Sequence, residues 1–335
     1  MWKRLLQFLV CPECRTDLDC RSGDPGEDGE ILTGALNCAK CGAEYPIVRG
    51  IPRFVPASSY ANSFGYQWNR FRELQIDAEN QTSLSRDRFL SETGWSFESL
   101  AGKWVLDIGC GAGRFLEIAS RSSAEVVGLD LSNAVDAARN TCAGRRNVHI
   151  VQASVYAPPF RAGSFDACYC IGVLQHTPDP QKALKSLPSL LNPSGRIAVT
   201  IYERRKWTLL NGKYLARRIT RHLPERVLMR LLAIAIPIAF PFTELLFRIP
   251  GLGRFFMFVI PIADYVDNPQ LNFRERYRWA LMDTFDMLAP YYDQPMRQSE
   301  AESVLKSEGI TPRRLNNPGL NLVGEKAPVA EMAVS

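Results

Sequence analysis

The sequence lacks a strong excess of charge of either sign. Its 40 Lys and Arg residues against 35 Asp and Glu residues leave a formal net charge of +5, which is too small to indicate a nucleic-acid partner by itself. It also lacks the polar composition of a disordered chain, because 46% of its 335 residues are hydrophobic and 22% are charged. The composition is that of a globular protein, long enough for one large domain or two smaller ones.

A second missing feature is an uninterrupted apolar run of about 20 residues, the length that a membrane-spanning helix needs. The apolar stretch at residues 231–262 contains Pro237, Pro241 and Glu244, which makes a transmembrane prediction weak. The opening residues MWKRLLQFLV are followed by CPEC, where a signal peptide would need a small-residue cleavage site. We therefore interpret the opening residues as mature sequence.

Cysteine, by contrast, occurs nine times, and four cysteines form two C-x-x-C pairs, Cys11 with Cys14 and Cys38 with Cys41. Two such pairs on tight turns can place four sulfurs tetrahedrally around a zinc ion. Segment 1–56 is too small for a core of its own, so we predict a zinc ribbon that folds around structural Zn²⁺. The alternatives are four unrelated cysteines, or a redox C-x-x-C pair, which would require a βα context that is not visible here.

The other cysteines do not suggest a disulfide framework. Cys168 and Cys170 lie in an apolar run that is typical of a buried strand, and Cys20 is a spare thiol. This usage fits a reducing cytoplasm better than secretion. We expect a cytoplasmic protein, with a peripheral position at the inner face of the membrane as the alternative.

The wording around the cysteine pairs, CPEC followed by CAKCGAEYPIVRGIPRFVP, resembles a small zinc-ribbon module. That module occurs in activators of tRNA methyltransferases and is fused to many bacterial methyltransferases. The resemblance covers about residues 5–56. It implies that a methyltransferase follows in the same chain, which the next residues test independently.

Residues 57–100 form a predicted helical connector. Phe64, Trp68 and Phe71 recur at helical spacing. An aromatic stripe of this kind usually packs a helix on the neighbouring domain. The alternative is a lid over a bound cofactor, with Trp68 as a contact.

From residue 101 onwards, apolar strand patterns alternate with helical ones up to residue 202. Alternation of this kind predicts an α/β fold with a parallel sheet covered on both faces. Residues 298–335 read as a further helix and two closing strands that complete this core.

The most informative motif is KWVLDIGCGAGRF, followed by VVGLD. A strand ending in Asp107, then glycines at 109, 111 and 113, then a helix, would place backbone N–H groups and a helix N-terminus beside a ligand. A dinucleotide-binding loop would have its third glycine where this chain has Arg114. Asp130 ends the next strand, where an acid can accept hydrogen bonds from ribose hydroxyls.

The motif resembles the first two motifs of class I S-adenosylmethionine-dependent methyltransferases. The resemblance covers residues 103–202 and implies a Rossmann-like sheet with strand order 3-2-1-4-5-7-6. It implies that S-adenosylmethionine is the cofactor. Where the family often has an acid that contacts adenine, this chain has Ser154, and the backbone of Val155 is the substitute. The candidate cofactor-binding residues are Trp68, Asp107, Gly109, Gly111, Gly113, Arg114, Asp130, Leu131, Ser154, Val155 and Gly172.

Three residues are candidates for catalysis. Methyl transfer to a weak nucleophile requires removal of a proton. His176 follows the fourth strand at the carboxyl edge of the sheet, and its ordinary pKa is near neutrality; the family often carries a histidine there without using it as a base. Asp283 and Tyr291 belong to the cluster DTFDMLAPYYDQP, which is either a pocket wall or a surface cap.

Residues 203–297 form an insertion of different character. Its first part is basic, and its second part is apolar and rich in proline. A basic and apolar segment, here residues 204–262, can dock on a membrane surface. A substrate cap and a dimer interface would have the same composition, and the sequence does not specify the oligomeric state.

These observations favour methyl transfer from S-adenosylmethionine to a small-molecule, glycan or lipid-linked acceptor, with O-methylation preferred. The alternative is an rRNA or tRNA methyltransferase whose zinc module aids RNA binding, although the modest charge makes a nucleic-acid partner the less favoured one. A third reading is an adaptor with a vestigial cofactor site, against which the set of Asp107, the glycines and Asp130 argues.

Overall fold

A computed structural model describes residues 1–23, 26, 29–56, 59–266 and 268–328 of the chain. Residues 24, 25, 27 and 28 of the predicted ribbon 1–56, the first two residues of the predicted connector 57–100, residue 267 of the insertion 203–297 and the last seven residues of the predicted segment 298–335 lie outside the described residues.

The N-terminal segment is a short 3₁₀ helix followed by a four-stranded antiparallel meander. The 3₁₀ helix spans Lys3–Phe8, and the strands are β1 (Asp19–Ser22), β2 (Thr33–Asn37), β3 (Glu44–Val48) and β4 (Ile51–Pro52). Side chains alternate between exposed and buried along β3, with Tyr45 and Ile47 inward, as expected for a strand with one solvated face.

This segment shares its core with the main domain. Leu5 and Leu9 are fully buried in the same hydrophobic cluster as Phe160 and Phe165. The backbone N–H of Val10 donates to the carbonyl of Pro159 across 3.0 Å. The small meander is therefore packed against the edge of the larger sheet.

The connector is helical, as predicted. It contains α1 (Asn62–Arg70), a 3₁₀ turn (Arg72–Gln75), α2 (Asp77–Asn80) and α3 (Leu84–Thr93). Asp77 begins α2, and its carboxylate accepts hydrogen bonds from the backbone N–H groups of Ser85 and Arg86, at 2.9 Å each. These bonds satisfy donors in the first turn of α3 that no helical carbonyl reaches.

The main domain then alternates strands and helices. The elements are β5 (Trp104–Ile108), α4 (Arg114–Ser120), β6 (Glu125–Asp130), α5 (Ala134–Thr141), β7 (Val148–Gln152), β8 (Phe165–Ile171), α6 (Pro180–Ser186) and β9 (Leu191–Ile201), with 3₁₀ turns at Leu174–His176 and Pro188–Leu190. These strands are parallel, and Val105 of β5 lies opposite Val126 of β6 and Ala167 of β8.

The insertion is helical. It comprises a 3₁₀ turn (Thr208–Leu210), α7 (Gly212–Thr220), α8 (Glu225–Leu246), α9 (Gly253–Val259) and α10 (Phe273–Leu288). A capping box starts α10, because the side chains of Asn272 and Glu275 each accept the other's backbone N–H. The expectation that Pro237 and Pro241 break the apolar run is wrong, since α8 continues through both. The two prolines are one turn apart on the exposed side of the helix, where water can reach the carbonyls that they leave without a donor.

The last elements are α11 (Gln298–Ser307), β10 (Ile310–Arg314) and β11 (Leu320–Lys326). The sheet order is β10-β11-β9-β8-β5-β6-β7, which is the predicted order 3-2-1-4-5-7-6 when the seven strands are numbered from β5. The strands predicted to be parallel, within residues 101–202, are parallel, whereas the closing strand β11 is antiparallel to both β9 and β10. Only a five-residue loop joins β10 to β11, too short for a parallel crossover.

The hydrophobic core has separate parts. One cluster on each face of the sheet contains its inward side chains, among them the fully buried Cys168 and Cys170 on one face and Tyr169 on the other. The insertion has a core of its own, in which α8 and α10 pack through residues such as Ile236, Phe240 and Phe285. The cavity between the two units is therefore bordered by the sheet at one end and by the insertion at the other.

Candidate active site

A cavity of about 400 Å³ lies at the carboxyl ends of β5, β6 and β8 and extends beneath the insertion. Ligands of open α/β sheets bind at this edge. Its walls include Tyr60, Phe64, Trp68 and Arg88 from the connector, Gly109, Cys110, Gly111, Ala112 and Arg114 from the loop after β5, Asp130, Leu131, Val155, Gly172, His176 and Tyr202 from the strand ends, and Tyr265, Trp279, Asp283 and Asp286 from the insertion.

Two carboxylates stand at the ends of adjacent strands. Asp107 is 2% exposed, and its Oδ2 has no hydrogen-bond partner among the residues described. Burial raises the pKa of Asp107 well above its ordinary value, because a charged group in a dry site is unfavourable without a counter-charge. The adjacent Ile108 and Gly109 line the cavity. An ammonium group bound there, directly or through water, would satisfy this buried acceptor.

Asp130 lines the cavity and also fixes the glycine loop through a hydrogen bond. Its Oδ2 accepts from the backbone N–H of Gly111 at 2.9 Å, and its Oδ1 accepts from the N–H and hydroxyl of Ser132 at 2.8 and 2.7 Å. A carboxylate has about four acceptor positions, so roughly one remains for a ligand hydroxyl. Asp130 can therefore bind one ribose hydroxyl without disturbing the loop.

Two of the loop glycines are required for different reasons. Gly109 has φ +78°, and a Cβ there would lie 2.4 Å from Cγ2 of Val173, so any side chain would be both strained and blocked. Gly113 is not part of the cavity wall as the structure describes it. A Cβ on Gly113 would lie 3.1 Å from Cα of Ala138, so this glycine allows α4 and α5 to pack closely.

The connector covers the loop with aromatic side chains. Trp68 and Phe64 of α1 both line the cavity, and Nε1 of Trp68 is 3.2 Å from where a Cβ on Gly111 would be. These two side chains therefore form part of the cavity wall beside the glycine loop. Phe71, the third member of the stripe, packs into the clusters of the insertion.

His176 lies where the part of the cavity beside the glycine loop meets the insertion. Its Nδ1 donates to the backbone carbonyl of Tyr292 at 3.1 Å, which leaves Nε2 as the unprotonated nitrogen of the neutral ring. Its ring contacts those of Phe64 and Tyr202, with centroids 5.0 and 5.5 Å away. Burial lowers the pKa of His176, although the carboxylates of Asp286 and Asp293 oppose that shift. The imidazole is therefore neutral at pH 7 and able to accept a proton.

Two carboxylates of α10 face this histidine across the cavity. Burial, together with Asp286, raises the pKa of Asp283 to about 7, against the opposing effect of Arg114 and Arg88. Asp283 also accepts a hydrogen bond from the hydroxyl of Tyr265. Burial likewise raises the pKa of Asp286. One of the two carboxyls can thus be protonated near neutral pH.

Arg114 links the loop to the connector and the insertion. Its guanidinium donates to Oγ of Ser85 at 2.8 Å and to Oε1 of Gln75 at 3.2 Å, and it lies over the ring of Trp279. Burial beside Arg88 lowers the pKa of Arg114 to about 9. A guanidinium with these partners positions the walls around a ligand more than it offers a free charge.

Besides Asp107 and Gly113, two more predicted residues are not part of the cavity wall as the structure describes it. Ser154 uses its Oγ to accept the backbone N–H of Tyr156 at 3.2 Å, and its neighbour Val155 lines the wall instead. Tyr291 is 48% exposed, and its ring faces His222 and the guanidinium of Arg221 on the surface. Neither side chain is part of the lining that the structure describes.

Other wall residues were absent from the sequence prediction. Tyr202 directly follows β9, and the rule that ligands bind at carboxyl strand ends would have identified it. Arg88 is on α3 in the connector, where nothing in its spacing distinguishes it from surface arginines. It reaches the cavity only because α3 packs against α4.

The two C-x-x-C pairs converge as predicted. One sulfur from each of Cys11, Cys14, Cys38 and Cys41 lies within 4.8 Å of the other three. Four thiolates at such separations can form the tetrahedral shell that zinc takes in structural sites. This site is remote from the chemistry of the cavity, since no residue of the meander is part of the described lining.

Comparison with known proteins identifies two regions of the chain. Residues 106–199 match the methyltransferase domain family, and residues 3–50 match the Trm112p-like protein family. The insertion lies outside both matches.

Individual relatives resemble part of the chain. This chain is 31% identical over 130 residues to the ubiquinone biosynthesis O-methyltransferase of Acinetobacter baumannii (strain AYE). The match covers 38% of this chain and 55% of that protein. The chain is 30% identical over 122 residues to the protein of the same name from Coxiella burnetii (strain Dugway 5J108-111), covering 35% and 52%. An O-methyltransferase family protein from Burkholderia thailandensis is 13% identical, covers 79% of this chain and 62% of that chain, and has a TM-score of 0.45. The chain thus spans about half the length of the curated relatives it matches.

These matches confirm that the chain contains a methyltransferase domain behind a zinc-ribbon module of the Trm112p-like type. The expected cofactor, S-adenosylmethionine, is confirmed by the same domain, and the cysteine cluster suits structural zinc.

Proposed function

We propose that this chain transfers a methyl group from S-adenosylmethionine to a hydroxyl oxygen of a small or lipid-linked acceptor. One observation carries the proposal. A single cavity joins the glycine loop and Asp130, at one end, to His176 and the carboxylates of α10 at the other. A cofactor and an acceptor can therefore lie next to each other in one cavity, and methyl transfer requires the two to be aligned.

In the part of the cavity beside the glycine loop, different residues would bind different groups of the cofactor. Asp107 offers a buried, unpaired acceptor for an ammonium group, and Asp130 offers an acceptor for a hydroxyl. Trp68 covers the loop, and Gly172 lines the wall beside the end of β8. S-adenosylmethionine, when bound, supplies the electrophilic methyl group.

The acceptor half supplies a base. A hydroxyl that attacks a methyl carbon must lose its proton, and neutral His176 can take it on Nε2 while Nδ1–H remains bound to the carbonyl of Tyr292. The carboxylate of Asp286 favours the protonated ring, so it stabilises the charge that develops on His176. A protonated Asp283 can donate to the acceptor from the opposite wall.

The acceptor is proposed to be largely apolar. Phe64, Phe115, Trp279 and Tyr265 contribute aromatic surface to the walls, beside a few polar groups. This mixture is typical of small-molecule sites, in which a few polar contacts set the orientation.

RNA methylation is the second candidate. The Trm112p-like match and the basic residues at the start of the insertion favour it. Against it, the basic stretch adjoins exposed apolar side chains, whereas RNA-binding surfaces combine basic grooves with stacking aromatic residues.

The test is to incubate the full chain and a bacterial lysate with methyl-labelled S-adenosylmethionine, and then to separate lipid, glycan, RNA, protein and small-molecule fractions. We expect label in the lipid or small-molecule fraction. Label confined to RNA would reject the proposal and support the second candidate.

A His176→Gln variant tests the base. Glutamine keeps a polar side chain of similar reach but cannot take the proton, so we expect kcat to fall by about 10²–10⁴-fold with unchanged cofactor affinity. In the unaltered protein kcat should rise with pH through a pKa below 6.5 and then level off, because burial lowers the pKa of His176. That rise should be missing in the variant. Equal kcat values in the two proteins would exclude His176 as the base.

A further inference from the structure

The exposed side of α8 is covered by apolar side chains. Leu231, Ile234, Ile238, Phe242 and Leu245 are 51–70% exposed, and they recur every three or four residues, which places them on one face of the helix. From residue 231 to residue 242 the sequence contains no polar side chain. A helix on the surface of a globular protein ordinarily presents charged and polar residues to water.

Two polar residues near the C-terminal end of the same helix point inward. Thr243 and Glu244 are 4% and 5% exposed. The carboxylate of Glu244 accepts from Nε and Nη2 of Arg276 on α10, each at 3.1 Å, and from Arg248 at 3.1 Å. After Arg230 the helix thus buries both of its polar residues and leaves a row of apolar side chains exposed.

The apolar surface continues on the neighbouring helices. Leu210, Ile219, Leu252 and Phe255 are 55–71% exposed. Leu210 is in the 3₁₀ turn and Ile219 in α7, whereas Leu252 directly precedes α9 and Phe255 is in it. Helices α7 and α9 contact each other. We call the exposed apolar side chains of residues 207–259 the apolar face.

The charges around the apolar face are of one sign. Segment 204–262 contains eleven basic residues and two acidic ones, Glu225 and the buried Glu244. Six exposed cations have no ion pair within the part of the chain that the structure describes: Lys206, Arg218, Arg221, Arg226, Arg230 and Arg254. Arg226 and Arg230 are one turn apart in α8, and Arg230 directly precedes the apolar residues that begin at Leu231.

We propose that the apolar face docks on the surface of a bilayer that contains anionic phospholipids. Apolar side chains would enter the boundary between headgroups and acyl chains, and the flanking cations would meet lipid phosphates. The charge pattern selects this partner over a second copy of the chain, because a symmetric dimer through this face would bring two sets of unpaired cations together.

The same packing indicates a helix that lies on the membrane instead of crossing it. Among the described residues, α8 is the one helix long and apolar enough to span a bilayer by length and composition, yet 39% of its apolar window is buried against the rest of the chain. To leave α10, it would have to strip Glu244 of Arg276 and expose Ile236 and Phe240. Docking needs neither change, and it requires no bound cofactor.

The experiment is co-sedimentation of the full chain with vesicles, either pure phosphatidylcholine or phosphatidylcholine with one third phosphatidylglycerol. We expect at least tenfold tighter binding to the anionic vesicles. The double variant Ile234→Glu with Ile238→Glu should lose at least tenfold in affinity for them. The matched control Val48→Glu, an exposed apolar residue on the zinc ribbon, should bind as the unaltered chain does. Equal binding by the double variant would overturn the proposal.

Further measurements distinguish the other occupants. Arg226→Glu with Arg230→Glu should weaken binding about tenfold or more at low salt and less at high salt, since an anionic surface attracts cations and salt screens that attraction. Circular dichroism must show that the variants are folded, and cofactor titration must show that they bind S-adenosylmethionine. A dimer in analytical ultracentrifugation that Ile238→Glu dissociates would overturn the proposal in favour of a second copy. Resistance to alkaline carbonate extraction would overturn it in favour of a spanning helix.

Discussion

The zinc ribbon and the helical insertion are both attached to the same sheet, but they differ in where their apolar residues are buried. The ribbon merges its apolar residues, such as Leu5 and Leu9, with the core of the sheet. The insertion has its own core between α8 and α10 and still leaves a row of large apolar residues in solvent. A small unit needs every apolar residue for folding, whereas a unit with its own core can use the surplus for binding.

The largest effect should come from the ribbon's metal site. In a Cys38→Ser variant the metal would lose one of four ligands, and the shared core around Leu5 and Leu9 would lose its support. We expect the melting temperature to fall by at least about 10 °C, because metal binding and folding are coupled in such modules. Differential scanning calorimetry measures the change. Chelation of zinc from the unaltered protein should give a loss of similar size.

The control for this prediction is the spare thiol. Cys20→Ser removes a sulfur that is not part of the four-cysteine cluster, so its melting temperature should stay within a few degrees of the original. Equal losses for the two serine variants would show that the cluster holds no structural metal.

An intermediate effect should distinguish the two sides of α8. Ile236 is 1% exposed and Ile238 is 66% exposed. We expect Ile236→Ala to lower the free energy of unfolding by about 2–4 kcal/mol through a lost contact and a cavity. Ile238→Ala should change it by less than about 0.5 kcal/mol, while weakening the binding to anionic vesicles. Urea denaturation measures both, and a large loss of stability in Ile238→Ala would show that this side of the helix is covered in the folded protein.

The smallest effect concerns the cavity wall and depends on pH. Burial raises the pKa of Asp283 from 3.8 to about 7, so its contribution to stability is present below about pH 4 and is lost as the pH rises through about 7. Asp283→Asn removes that loss and can keep the hydrogen bond from Tyr265. The variant should therefore gain about 1–2 kcal/mol relative to the unaltered protein at pH 8 and nothing at pH 4, after allowance for water in the cavity.

Thermal denaturation between pH 4 and pH 8 measures this gain, with the exposed Asp19→Asn as the control for removal of one negative charge. A gain that is the same at every pH would mean that the carboxyl of Asp283 does not titrate in this range. The experiment also bears on function, because a carboxyl that is half protonated near neutrality can donate to an acceptor.

Much of the sheet and of its cofactor edge was predictable from local signals. Asp107, Gly109 and Asp130 stand at strand ends, and strand ends follow from apolar runs and glycines close to them in sequence. The cysteine pairs were predictable because metal ligation constrains their spacing. Arg88 was not, since its place in the wall depends on how α3 packs on α4, which no local pattern encodes.

The insertion shows both what local sequence patterns determine and what only long-range packing determines. In the insertion, the sequence identified an apolar segment with basic residues before it. In the sheet, the sequence was sufficient to predict the elements, because a period of two or 3.6 residues is a local property. The sequence could not say which apolar side chains are inside, as Ile236 and Ile238 have the same chemistry two positions apart. That outcome follows from long-range packing on α10, and Glu244 takes the inner side because Arg276 is there to pair with it. The tertiary contacts therefore leave Ile238 on the surface, where it forms part of the proposed membrane-docking face.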